Sequence, residues 1–144
     1  MQKYSILTLL LTLFVSAQCY SADWPGFRGI DGKGISSEKI LNTNWNTNPP
    51  KLLWKIDLND DGYSGPSDVK GKLYIIDHVG EEDVVRCLDV KTGIEKWRYK
   101  YPNPGKPDFG FTRATPAVSK GYVVTLSRKG LVVCLNAQTG KHIW

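Results

Sequence analysis

Short apolar runs rich in Val, Ile, Leu and Tyr, each bounded by Gly, Asp, Lys or Pro, follow one another along the second half of the chain. Residues 67–69, 72–77, 84–89 and 95–100 form one set of four, and residues 115–119, 122–127, 131–136 and 141–144 form a second. Runs this short, separated by turn residues, predict β-strands. No stretch carries an apolar period of 3.6 residues over a useful length, so the mature part reads as all-β.

The two sets are copies. Cys87-Leu-Asp-Val-Lys-Thr-Gly-Ile-Glu-Lys-Trp97 returns as Cys134-Leu-Asn-Ala-Gln-Thr-Gly-Lys-His-Ile-Trp144, with Cys, Leu, Thr, Gly and Trp in the same places. Upstream, Pro66 to Lys70-Gly71 aligns with Pro116 to Lys120-Gly121. With Trp54 ahead of the first copy, the Trp spacings are 43 and 47 residues, the range of one four-stranded propeller blade. Such a unit cannot bury its own apolar face and needs neighbours. The segment between the last two strands of each copy, from Asp89 to Gly93 and from Asn136 to Gly140, predicts a hairpin turn. There the Asx side chain bonds a backbone N–H two residues on and Gly takes the positive φ. The tips between the second and third strands differ: residues 78–83 are acidic, while Arg128-Lys129-Gly130 is basic and shorter. Variable tips are where binding specificity usually resides.

Residues 1–22 are a different object. Lys3 supplies a positive start, residues 6–15 are apolar, and residues 16–22 are small and polar. That is the three-part pattern of a secretory signal peptide, with cleavage expected after Ala17, Ser21 or Ala22, and its apolar run is too short to span a bilayer. Gln18 argues against lipid attachment at Cys19. Export to the periplasm or beyond, and no transmembrane segment, are therefore expected. The formal net charge of +5 becomes +4 once Lys3 leaves with the leader, and no basic run occurs, so nucleic acid is not an expected partner. Cys87 and Cys134 hold the same place in successive copies, which puts them in different blades and makes unpaired, buried thiols the expectation.

The turn-plus-Trp motif resembles the tryptophan-docking motif of the pyrroloquinoline quinone (PQQ) repeat, the blade signature of quinoprotein-type β-propellers. Asp23-Trp24-Pro25-Gly26-Phe27-Arg28-Gly29 is similar to the opening common in secreted PQQ-like propellers, and Pro49 to Trp54 and Gly62 to Pro66 continue the likeness. A WD-type blade would close on Trp-Asp, whereas Arg98 follows Trp97, and the paired glycines of kelch are absent. The resemblance implies an all-β partial propeller: an N-terminal extension over 23–51, then blades over 52–144 with repeats at about 62–100 and 111–144. It also implies that Trp97 and Trp144 are structural, each docking on the next blade, and that Trp54 does the same from the outer strand of another blade. Propellers close with about four to eight blades, so a propeller continuing beyond residue 144 is expected.

The family includes quinoprotein alcohol dehydrogenases, which hold PQQ and calcium and in many members carry a disulfide between adjacent cysteines, and also cofactor-free scaffolds that bind protein partners. No Cys-Cys pair occurs here. PQQ and calcium are thus implied by resemblance alone, and the residues point to no catalytic group and no metal site. Tyr63 and Arg113 stand just before the inner strands of their repeats, so both are candidates to face the central channel, where Arg could clamp a carboxylate or phosphate. The alternative for Arg113 is a structural role, bonding turn carbonyls of the next blade. Asp57, Asn59, Asp61, Gly62 and Asp68 match calcium-loop spacing, but Ser64 and Pro66 spoil it, and a solvated inter-blade turn is expected instead. His78 and His142 have no metal-ligand neighbours in sequence and are expected at exposed turn or strand positions. Residues 102–111 form a stiff loop with two Phe at its tip. The reading is an exported, non-catalytic PQQ-like scaffold that takes a protein or small molecule at the propeller face. The alternative is part of a quinoprotein dehydrogenase.

Overall fold

A computed structural model describes residues 22–39, 42–59 and 61–144. The expected leader, apart from Ala22, lies outside the described residues. Within them there is no helix and seven strands build two antiparallel sheets. The first is a meander of β1 (Ser67–Val69), β2 (Lys72–Val79), β3 (Glu82–Asp89) and β4 (Glu95–Pro102). The second holds β5 (Ala117–Ser119), β6 (Tyr122–Leu126) and β7 (Val132–Asn136).

The fourth run of the second copy, expected as a strand, is shorter than that. Residues 141–144 lie beside β7 with a single bridge between Leu135 and His142 and with backbone bonds between Cys134 and both Ile143 and Trp144. The first tip also differs from expectation. His78 pairs with Asp83 and Val79 with Glu82, so only Gly80 and Glu81 turn the chain and the two acidic residues that follow belong to β3. A two-residue hairpin with Gly at positive φ, here 66°, matches the natural twist of the strands.

The sheets stack face to face. On the inward face of the first sheet, Tyr74, Cys87 and Trp97 lie in cross-strand register, as do Val85 and Tyr99. They meet Val118, Val123, Val133, Leu135 and Ala137 of the second sheet in one apolar core. Neither face could be buried within its own sheet, which is the physical reason the repeat exists. The register shifts between Cys87 and Leu88, where Lys96 is the extra residue on β4, next to Trp97.

Trp97 then staples the two sheets. Its Nε1 donates to Ala137 O at 3.1 Å, and its ring lies over Gly140, where an added Cβ would sit 2.6 Å from Trp97 Cε3. Trp54 repeats the contact one blade earlier, with Nε1 donating to Val90 O at 2.9 Å and the ring over Gly93. The turns that receive them are built alike. Asp89 Oδ1 accepts the amides of Lys91 and Thr92 and the Thr92 hydroxyl, and Asn136 Oδ1 accepts those of Gln138 and Thr139 and the Thr139 hydroxyl. Gly93 and Gly140 have φ of 70° and 72° and must lack a side chain, both for that backbone and for the indole above it. Trp144 lies 60% exposed. Tyr99 stacking on His142 at 5.7 Å and Tyr74 Oη donating to Ala137 O at 3.1 Å add to the seam.

The N-terminal segment holds a position that its sequence does not advertise. Trp24 exchanges backbone bonds with Asp68 of β1, and Pro25 O accepts the Val118 amide of β5 at 2.7 Å. The segment thus occupies the free edges of both inner strands, which would otherwise be open templates for pairing.

Candidate functional site

All antiparallel strands here have two kinds of end. At one end lie the turns at 70–71, 89–93, 120–121 and 136–140. At the other, the mouth end, lie the hairpin tips and the segments that enter β1 and β5. The two candidate residues meet at the mouth end. Tyr63 and Arg113 line one groove of about 590 Å³, together with Phe27 from the N-terminal segment and Ala114, Val124 and Leu126. The entry segments are tied together by the Tyr63 amide bonding Thr112 O at 2.6 Å and by Ser64 Oγ donating to Ala114 O at 2.8 Å. Tyr63 is 71% exposed, with one edge of its ring against Gly110.

Arg113 is committed to its own loop. Its Nη2 donates to Phe109 O at 2.6 Å and its Nε to Gly110 O at 3.4 Å. The guanidinium therefore holds the aromatic-tipped loop in place, bonding carbonyls of its own segment and not those of the next blade. Arg128, from the second tip, does the same for the start of that loop by donating to the carbonyls of Asn103, Pro104 and Gly105. The groove wall is apolar and aromatic with one cation at its rim, and no carboxylate lines it.

Beneath the first tip lies a polar cluster that sequence reasoning missed. His78, expected to be exposed, is only 4% exposed. Its Nδ1 lies 2.9 Å from Asp83 Oδ1, its Nε2 lies 2.7 Å from Gly80 O, and its ring stacks on Phe111 at 4.1 Å. Asp83 Oδ2 accepts from Asn103 Nδ2 at 2.8 Å. Buried polar side chains need such partners; Asp83 and Gly80 belong to the tip, while Asn103 and Phe111 come from the inter-blade loop, so the cluster joins the tip to the loop. His142 is exposed, as expected. A second network crosses the opposite face of the first sheet: Arg86 bridges Asp77 and Glu95, and Asn59 bonds Asp77 through its backbone and side-chain nitrogens. Glu95 is held below the usual carboxylate range, because hydrogen bonds from Arg98 and Arg86 together outweigh the larger single effect of its burial.

Asn59 is thus engaged with Asp77, and Asp57 pairs with Lys55. Residue 60, which falls between these positions, lies outside the described residues. Among the described residues no group of three or more His, Cys, Asp or Glu side chains is placed to hold a metal ion. The groove lining accordingly does not fit a calcium-bound quinone, since it supplies no carboxylate for the cation. Cys87 and Cys134 are both buried and unpaired, and burial pushes the Cys87 thiol up to about 11. No helix among the described residues is long and apolar enough to cross a membrane.

No curated protein sequence matches this chain. Among solved structures, one described as a europium-containing methanol dehydrogenase is similar, with 19% sequence identity and a TM-score of 0.64. The likeness covers 88% of this chain and 23% of that one, so this chain spans about a quarter of its length and the two share a fold. Residues 37–144 match the profile of the family described as outer membrane protein assembly factor BamB. With Trp54 and Trp97 seated on the Thr-Gly turns of the sheets they cover, the chain belongs to this family of PQQ-like β-propeller repeats.

Proposed function

We propose that this chain is an exported part of a PQQ-like β-propeller that works as a non-catalytic binding scaffold, holding a protein or small-molecule partner at its mouth end. The observation that carries this reading is the groove between Phe27, Tyr63 and Arg113: apolar, aromatic, and without a carboxylate to act as base or cation ligand. Exposed aromatics around a rim-placed cation favour recognition through area and one oriented charge. Arg113 bonds its own loop, so the rim keeps its shape without a ligand. Acid–base work near neutral pH is done mostly by His and carboxylates within reach of substrate, and the groove lining holds no His, Asp, Glu, Lys or Cys, its ionisable side chains being Tyr63 and Arg113. Export rests on the leader pattern of residues 1–22 and is tested by N-terminal sequencing of the mature product: a start between Gln18 and Asp23 is expected, and an intact Met1 in a soluble cytoplasmic protein would refute it.

The scaffold reading is tested on the full-length protein by equilibrium dialysis with PQQ and calcium, followed by a dye-linked alcohol oxidation assay. Quinone chemistry requires a cation beside the quinone carbonyl and a base for the substrate proton. The expected result is no stoichiometric PQQ binding and no turnover. Tight binding with turnover that calcium removal abolishes would replace the scaffold with the dehydrogenase.

A further inference from the structure

The end of the strands opposite the mouth carries a cleft of about 390 Å³ between the two sheets, lined by Lys70, Lys72 and Lys120 with Ser119, Asn136 and Gln138, and by apolar residues that include the buried Tyr74, Val118 and Ala137. No carboxylate is among the lining residues. Among the described residues, none lies within ion-pair distance of these three lysines. Other lysines of the chain do find one: Lys96 pairs with Asp89 and Lys100 with Glu82. Asp23 accepts the Lys70 amide rather than its ammonium.

The lysines are also placed by the fold. Lys72, on β2, reaches across the seam and donates from Nζ to Gln138 Oε1 of the second sheet's turn. Lys70 and Lys120 hold the same place in the two repeats, at the first position of the β1–β2 and β5–β6 turns, with φ of 51° and 48°. A side chain in this left-handed region carries a cost that Asn or Gly would relieve. Twice the chain carries lysine there, and both times it stands over the same cleft. Asp89, opposite Lys72 in the strand pairing, is taken by Lys96, so the three lysines have no ion-pair partner of their own; such like charges repel one another, and a bound anion removes that repulsion.

We propose that this inter-blade cleft binds a multiply charged oxyanion, a phosphate or polyphosphate group, between Lys70, Lys72 and Lys120, with the amide of Gln138 and the hydroxyl of Ser119 as neutral donors. Three point charges and neutral donors suit a compact anion of high charge better than an extended carboxylate. The site lies at the far end of the strands from the mouth groove and stands independently of the scaffold reading.

The test is calorimetric titration of the full-length protein with pyrophosphate and with inorganic phosphate. Saturable one-to-one binding of pyrophosphate is expected, weaker for phosphate and weakened by added NaCl. The double variant Lys70→Asn/Lys120→Asn removes two charges while placing a residue that tolerates the backbone, so it should fold at least as well, and pyrophosphate binding should weaken about tenfold or more. Lys106→Asn, at the mouth end, should leave binding unchanged. Absence of saturation up to about 10 mM would overturn the proposal. So would an equal loss in Lys106→Asn, which would mark a diffuse charge effect, or binding to phosphatidylglycerol vesicles without pyrophosphate binding, which would mark a membrane surface instead of a cleft.

Discussion

Gly140→Ala tests the staple between the sheets more sharply than removal of the tryptophan alone. The new Cβ would lie 2.6 Å from Trp97 Cε3 and 2.7 Å from Cδ2, so the ring must leave its seat. Displacing a packed aromatic this way costs about 1–3 kcal/mol. The left-handed backbone, φ 72°, adds about 1 kcal/mol for any residue with a Cβ. Gly121→Ala supplies the reference: φ is 84° and nothing lies within 4 Å of the added carbon, so only the backbone term of about 1 kcal/mol should appear. Trp97→Ala should cost about 3 kcal/mol, the lower end for a large aromatic, because the ring is half-buried and loses one hydrogen bond. In the Trp97→Ala background the obstruction is gone, and Gly140→Ala should cost no more than Gly121→Ala does. Urea unfolding of the wild type, Gly140→Ala, Trp97→Ala and their double variant, with Gly121→Ala as reference, should therefore give a double-mutant coupling of about 1 kcal/mol or more. Additive effects, or a Gly140→Ala cost equal to that of Gly121→Ala in the wild-type background, would show that the indole is not seated on the turn.

Two further outcomes follow from buried titratable groups. With the Cys87 thiol pushed up to about 11 by burial, its thiolate at pH 7 should be roughly 100-fold scarcer than that of an unperturbed cysteine; reaction of the native protein with Ellman's reagent should be correspondingly slow, and labelling at the free-thiol rate would contradict the packing. Asp68 is shifted upward by burial first, then by the charges of Asp23 and Glu38, so its ionised form is disfavoured in the folded state. That penalty is present above the folded-state value and vanishes below the ordinary Asp value of about 3.9. Asp68→Asn should therefore raise the melting temperature at pH 7 and leave it unchanged at pH 3, and a stabilisation that grows on acidification would refute this account.

The parts legible in the sequence were those the repeat wrote twice. The Asx-x-x-Thr-Gly turn and the Trp that follows it are short-range patterns, and their partnership with the neighbouring blade follows from spacing and from the apolar face each sheet must bury. Tyr63 and Arg113 could be placed at one end because both precede inner strands, and the structure does bring them to one groove. The bonds Arg113 makes were not readable, since residues 109 and 110 became acceptors only once the loop folded back. The His78 cluster failed for a related reason. An acidic run with a histidine reads as a solvated tip, yet Phe111 and Asn103, distant in sequence, bury it. Trp24 and Pro25 lie in a segment without alternation, so nothing local foretold that their backbone would pair with β1 and β5. The lysine cleft was hidden because Lys70 and Lys72 stand at one turn and Lys120 at the equivalent turn of the other repeat, which no run of sequence unites.

The central claim is that these sheets are successive blades stapled by indoles bonded to the turn of the neighbouring blade. Hydrogen exchange of the tryptophan indole N–H groups, followed by NMR, tests it directly. The Nε1–H groups of Trp54 and Trp97 are bound to Val90 O and Ala137 O and should exchange slowly, on the timescale of opening the blade interface. Exchange of the Trp97 indole at the rate of a free, solvated indole would contradict the account.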